Sequence, residues 1–382
     1  MSDRDRPAQA VRAWALRYAA RVRAACNTRR LAVLLLSGSA AATVVGQPQE
    51  GPRTFVSFSG PALGSRYEVR VVMLAGDEAA SEQVRAAIAR ELALTERLFS
   101  RWSPSSEISR LSAYASTAPF PVSQEMLAAL ALARRASELS GGALDATVAP
   151  LVDAWGFGPA PGVRSVPDAD TLAALRERVG YRLLALDPGR SSVTKARPDV
   201  ACDLSALGDG WAADRIAGAL ASLGHEHVLV DVAGEVTARG RRVDGRPWRV
   251  AVEWPGQPRE RAVVIELDDA AAATSGDYKK AWTDAQGHRY SHILDPRAGR
   301  PVGHDLASVT VVDRDGAWAD ALATALLVLG PDEGRALAAR ERLAARFVKR
   351  QADGSFAEWA TPAFERLVRP PAAVPASTGG RR

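Results

Sequence analysis

The stretch Trp318-Ala-Asp-Ala-Leu-Ala-Thr-Ala-Leu-Leu-Val-Leu-Gly330 reads as an apolar helix that carries one acid, Asp320, and one hydroxyl, Thr324. Residues four apart are neighbours on one helical face, so these two oxygen groups stand side by side. Trp318, Leu322, Ala325, Leu326 and Leu329 fill the other face. A carboxylate and a hydroxyl on a rigid support can be two ligands of a hard cation, which takes oxygen donors. A plainer reading stays open beside it. Asp320 favours the N-terminus of a helix that begins just after Asp315-Gly316, and Thr324 can bond back to a carbonyl one turn earlier.

Outward from this helix, strands and helices alternate irregularly. Tyr67 to Leu74 alternates as a strand does, and Ser81 to Phe99 and Ser123 to Leu139 are amphipathic helices, the second stopped by Gly141-Gly142. Strands are expected at Leu183 to Asp187, His227 to Asp231, Trp248 to Glu253, Arg261 to Leu267, Arg289 to Leu294, Ser308 to Val312 and Arg346 to Lys349. Short turns at Asp244-Gly245 and Gln286-Gly287 imply antiparallel hairpins among them. The mixture predicts an α+β fold with mixed, largely antiparallel sheets and packed helices. No repeat occurs at a solenoid period.

The net charge of +5 invites a nucleic-acid partner, but residues 1–30 hold eight Arg against two Asp, which leaves 41 basic and 42 acidic residues elsewhere. The basic balance belongs to the leader, and no basic stripe interleaved with aromatics remains, so nucleic acid is excluded as a partner. That leader reads as an export signal over residues 1–46. A basic segment ends in Thr28-Arg29-Arg30, an apolar run from Leu31 to Val45 is broken by Ser37-Gly38-Ser39, and Ala40-Ala41-Ala42 offers small residues for cleavage. The twin arginines point to the folded-protein (Tat) route. A retained anchor, with transient membrane association through the N-terminus, is the alternative, although the run is short of the roughly 20 residues that span hydrocarbon. The protein is expected in the periplasm or on the outer face of the inner membrane. Cys26 precedes the apolar run, so a lipoprotein is not expected, and once the leader is removed only Cys202 remains to the mature chain. Residues 369–382 are rich in Pro, Ala and Gly and are expected to be disordered.

Several segments recur in a recognisable order: Leu63-Gly-Ser-Arg-Tyr67, Phe99-Ser-Arg-Trp-Ser-Pro-Ser-Ser-Glu-Ile-Ser-Arg110, Ser140-Gly-Gly-Ala-Leu-Asp-Ala-Thr147 with Trp155-Gly-Phe-Gly158, and Asp203-Leu-Ser-Ala-Leu-Gly-Asp-Gly-Trp-Ala-Ala-Asp214. Val230-Asp-Val-Ala-Gly-Glu235, Ala273-Thr-Ser-Gly-Asp-Tyr278 and Ser291-His-Ile-Leu-Asp-Pro-Arg-Ala-Gly299 follow, and the apolar helix closes the set. From about Gly60 to Gly330 the chain thus resembles the ApbE family, the FAD:protein FMN transferases. The resemblance implies one catalytic domain over residues 47–368, FAD as substrate, Mg2+ as cofactor, and an acceptor flavoprotein with a target Thr.

Site residues follow from the same resemblance. Asp320, Thr324 and the main-chain carbonyl of Gly208 correspond to the magnesium ligands. Leu63, Gly64, Trp102, Ala143, Leu144, Asp145, Ser205, Trp211 and Leu294 fall where the family meets the flavin nucleotide. By its residues alone, Asp203 to Asp214 reads as a strand end, a glycine-bracketed turn at Gly208-Asp209-Gly210 and a helix from Trp211 that closes at Gly224. Glycines before a helix let backbone approach a ligand, and a helix N-terminus favours phosphate. Trp102 is either a stacking surface for a flavin or adenine ring or a core aromatic near Phe99. Thr274 to Tyr278 is polar and lies between strand-like segments, as a turn would. His292, beside the Asp295-Pro296 turn, is the candidate for proton transfer or for orienting phosphate, with Asp295 holding the turn; a structural histidine is the alternative.

The chain departs from the family pattern at two places. Many members have Lys where Asp209 stands and Gly-Gly-Asn where Ala233-Gly234-Glu235 stands. An Asp there adds negative charge beside a diphosphate and weakens binding unless it points away or a cation neutralises it. The implied reaction is attack of an acceptor Thr hydroxyl on the FMN-side phosphorus of FAD, with release of AMP. Two further readings stay open, hydrolysis of FAD by the same site and flavin binding without turnover.

Overall fold

The structure is a computed structural model, and it describes residues 52–159, 164–255 and 262–369. The leader, most of the C-terminal tail and Arg261 lie outside the described residues.

One sheet organises the chain. Strands β1 (Arg53–Ala62), β2 (Ser65–Leu74), β3 (Val228–Val232), β4 (Glu235–Arg239), β5 (Ala271–Gly276), β6 (Leu306–Asp313), β7 (Ala344–Arg350) and β8 (Phe356–Ala360) lie side by side in chain order. Every neighbouring pair is antiparallel. Four long helices, α1 (Glu78–Phe99), α2 (Gln124–Leu139), α3 (Ser205–Ser222) and α4 (Gly316–Arg340), arise from the excursions between strands. Alternation in the strands decides which face they cover. Val69 and Val71 of β2 point to Val84 and Ile88 of α1 and Ile216 and Leu220 of α3. Val309, Val311 and Phe347 of β6 and β7 meet Leu322 and Leu326 of α4, which in turn pack with Met126 and Leu130 of α2.

The opposite face, through Val236, Ala238, Ala272 and Val312, is covered by Trp248, Val252, Ile265, Leu267 and Phe364. These come from a short sheet of Trp248–Val252, Val263–Leu267 and Val368–Arg369, and from the helix Pro362–Glu365. The result is an antiparallel α+β fold, as the sequence predicts.

The apolar helix is held at its start by two carboxylates. Asp315 accepts the Trp318 N–H at 3.0 Å and Asp214 accepts the Gly316 N–H at 2.6 Å, which satisfies amides that have no partner within the helix. Thr237 and Arg239 hold Asp214 in turn, at 2.9 and 3.1 Å. Gly330, at φ 80° and ψ −174°, breaks α4, and Pro331 opens its second segment. A glycine in that left-handed region followed by proline at a helix start is the expected chemistry.

Four local expectations are corrected. Gly208-Asp209-Gly210 is no turn, since α3 starts at Ser205 and runs through all three residues. Asp203 makes this earlier start workable by accepting the Ser205 N–H at 2.8 Å. Thr274 to Gly276 is the end of β5 rather than a turn. The single strand expected over Arg289 to Leu294 is two, Arg289–Ser291 paired with Ala281–Thr283 and Leu294–Asp295 paired with Arg300–Pro301, with His292 at the break. Asp244-Gly245 does turn the chain, but it joins strands of different sheets.

Gly210 of α3 serves helix crossing instead. A Cβ on Gly210 would collide with the Gly316 carbonyl oxygen and stand 3.0 Å from the Asp320 Cβ, and a Cβ on Gly316 would stand 3.1 Å from the Gly210 oxygen. Gly210→Ala should therefore cost about 3 kcal/mol by overpacking. Urea denaturation checks this, and a loss under about 0.5 kcal/mol would mean the helices do not need so close an approach.

Candidate active site

The crossing of α3 and α4 against β4 and β5 brings several of the expected residues together. Asp320 accepts the Gly210 N–H at 3.1 Å. One turn further along α4, the Thr324 hydroxyl lies 2.8 Å from that of Ser275. Glu235, at the start of β4, accepts the Thr274 N–H at 2.8 Å and stands 3.8 Å from the Lys279 ammonium. Asp209 adds a further carboxylate that acts on both Asp320 and Glu235.

Charge in this cluster is short on the positive side. Burial, then Asp209, pushes Asp320 up to about 7, against the pull of the Gly210 N–H and Lys279. Burial pushes Asp209 up to about 6 although Lys279 and Lys280 oppose it. Glu235 is raised well above its ordinary value by burial and then by Asp320. Burial is the main cause at all three acids, and like charge adds to it at Asp320 and Glu235.

Among the described residues, no three His, Cys, Asp or Glu side chains are arranged to hold a metal by themselves. A cation here would rely on Asp320 together with hydroxyl and main-chain oxygens, and such hard donors beside surplus negative charge fit Mg2+. Gly208 is buried inside α3 rather than in an open turn. A carbonyl at such a position normally accepts the amide four residues on, so Gly208 would serve a metal only by sharing its oxygen.

A second group of residues meets at Lys280. Its carbonyl accepts the His292 backbone N–H at 3.0 Å and lies 3.0 Å from His292 Nδ1. A carbonyl cannot donate, so Nδ1 carries the proton and Nε2 keeps its lone pair in the neutral ring. Burial, then the charges of Lys280 and Lys279, holds this imidazole below its ordinary pKa, whereas the bond to the Lys280 carbonyl pulls the other way. Phe157 lies edge-on at 6.3 Å. The Lys280 ammonium is 6.0 Å from the ring centre of Trp102, which is 62% exposed and so no core aromatic.

The remaining candidates are placed as follows. Leu63 and Gly64 form the two-residue turn between β1 and β2, both at positive φ, 51° and 76°. Such turns match strand twist, but a leucine there is strained. Ser205 is exposed in the first turn of α3, its hydroxyl bonded to Asp203, which Arg101 clamps at 3.0 Å while also gripping Asp153. Trp211 stands edge-on to Phe99 at 5.7 Å, and its indole N–H is buried without a partner. Ala143 and Leu144 are buried. Asp145 commits its carboxylate to Thr147 and to the Tyr181 N–H, so a ligand would have to share those oxygens. Leu294 packs its side chain among Trp155 and Trp282, as scaffold. Ser275, Lys279 and Lys280 were not foreseen as site residues; the only signal was their position in and just after the Thr274 to Tyr278 segment.

Buried oxygen donors, a neutral imidazole and an exposed indole on an antiparallel α+β scaffold define an enzyme that handles a charged ligand with an aromatic part. The ApbE family model matches residues 63–347. A Klebsiella pneumoniae protein named FAD:protein FMN transferase is 36% identical over 341 residues, covering 88% of this chain and 95% of the relative. The solved flavin transferase ApbE of Vibrio cholerae superposes with a TM-score of 0.74 at 37% identity, over 83% of this chain and 100% of the other. The apo flavinyl transferase ApbE of Pseudomonas stutzeri gives 0.75 at 36% identity, over 82% and 97%. The chain belongs to the ApbE family.

Proposed function

We propose that this protein transfers FMN from FAD to the hydroxyl of a Thr in an acceptor protein, with Mg2+, and releases AMP. The observation that carries the reading is that the group of Asp320, Thr324 and Ser275 is joined, through the consecutive Lys279 beside Glu235 and Lys280 beside His292 and Trp102, to a neutral imidazole and an exposed indole. The name borne by its relatives supports the reaction type. Bound Mg2+ supplies charge neutralisation to the diphosphate.

The chain's own residues do the rest. Trp102 offers a face on which an aromatic ring stacks, and Asp320 is oriented by the Gly210 N–H. His292 Nε2 takes the proton of the acceptor hydroxyl as its oxygen bonds to the FMN-side phosphorus. The bond from that phosphorus to the AMP phosphate breaks, and the flavin stays on the acceptor through a phosphoester. Fixed groups make the step favourable because a hydroxyl is a poor nucleophile toward a charged diphosphate.

Trp102→Ala should weaken FAD binding by about tenfold to a hundredfold, the usual worth of ring stacking. An exposed side chain contributes little to the core, so the melting temperature should hold. Fluorescence titration with FAD checks this; equal affinity in parent and variant would return Trp102 to an ordinary surface aromatic.

We also propose that the protein acts in the periplasm or on the outer face of the inner membrane, from its leader. N-terminal sequencing of envelope material should give a start between about Ala42 and Gly46, and an intact Met1 on an integral membrane species would overturn the cleaved signal.

A further inference from the structure

An acid-rich cluster that receives a diphosphate needs positive charge from the chain, and two consecutive residues after β5 bring it. Lys279 stands 3.8 Å from Glu235 and would lie 3.9 Å from a Cβ on Gly234. It therefore reaches over the Ala233-Gly234 turn, where φ is 57° and 101°. Its charge also acts on Asp209, Asp231 and Asp320. Yet the contact with Glu235 is longer than a hydrogen bond, and the Lys279 side chain is 43% exposed. An ammonium held so loosely can turn to a new partner without breaking a strong bond.

Lys280 fixes where that ammonium starts from. Its carbonyl is bonded by His292 and its own ammonium lies over Trp102. The two-residue segment thus runs between the acid cluster, the imidazole and the indole. A ligand stacked on Trp102 with its phosphates toward Asp320 would pass Lys279 between the two.

We propose that Lys279 is a further substrate-binding residue, whose ammonium leaves Glu235 to bind the diphosphate of FAD and thereby lets so acidic a site accept an anion. The inference rests on the proposed function and deepens it.

The test uses the full protein with Mg2+ and measures dissociation constants for FAD, for ADP, which carries the diphosphate without flavin, and for riboflavin, which carries flavin without phosphate. Lys279→Ala should weaken FAD and ADP by about tenfold or more, the worth of a charge-assisted hydrogen bond. Riboflavin affinity and melting temperature should not change. Lys279→Arg should restore most of the loss, and adding Glu235→Gln to Lys279→Ala should recover part of it by removing an uncompensated carboxylate. Equal losses for riboflavin and FAD would place Lys279 in the fold and overturn the assignment. If the parent binds FAD and Lys279→Ala binds it equally well, this inference falls alone. A parent that binds neither FAD nor ADP overturns it together with the proposed function.

Discussion

Asp320→Asn should lower flavin transfer by about a thousandfold or more, because several kcal/mol of charge stabilisation at the phosphoryl group depends on one carboxylate. Asn keeps an oxygen that can accept the Gly210 N–H, so the crossing of α3 and α4 should survive. Stability gives a second check with a definite sign. Burial raises the pKa of Asp320 to about 7 in the folded chain, so the folded state binds a proton more tightly than the unfolded one. In metal-free protein that contribution is fully present below the ordinary carboxylate range and is lost as pH rises through about 7. Asp320→Asn removes this residue's share of the dependence and leaves that of Asp209 and Glu235, and the metal-free variant should be the more stable of the two above that pH. Thermal melts across pH without metal, beside transfer assays with it, decide the matter. A folded variant with near-parental transfer would remove Asp320 from the chemistry.

His292→Ala should lower kcat/KM by about a hundredfold to ten-thousandfold, the range for loss of a general base, with the dissociation constant of FAD held. The pH profile separates a base from a structural histidine. Burial keeps this imidazole below its ordinary value of 6.5, so parental activity should persist as pH falls past that value and drop only at the lower pKa. The acid limb should vanish in the variant. An unchanged limb in His292→Ala would assign it to another group.

Much of the scaffold was legible because burial imposes a period. Val69 and Val71 alternate out of water against α1, and the apolar surround of α4 announces a helix in the core. β1 was less legible. Its residues are largely exposed, it lies at the sheet edge, and Gly60-Pro61 near its end weakens any strand pattern. Gly208-Asp209-Gly210 misled for a different reason. Two glycines around an aspartate are turn chemistry locally, but here Gly210 lets a second helix approach, a demand set by Gly316 a hundred residues away.

The site divided in the same way. Asp320 and Thr324 share a helix face and could be paired from spacing, whereas Ser275, Glu235 and Lys279 join them only through sheet register and a strand end. Spacing carries no signal for contacts of that kind. The negative charge that Asp209 brings is answered in space by Lys279 and Lys280, far along the chain.

The most direct measurement mixes the mature protein with FAD, Mg2+ and a Thr-bearing acceptor domain, then separates the products on a denaturing gel under ultraviolet light while AMP is assayed in solution. Flavin fluorescence on the acceptor band, lost when the target Thr is replaced by Ala and matched by AMP mole for mole, is the predicted result. AMP without a fluorescent band would make the protein an FAD hydrolase, and neither product from a protein that binds FAD would contradict the account of its chemistry.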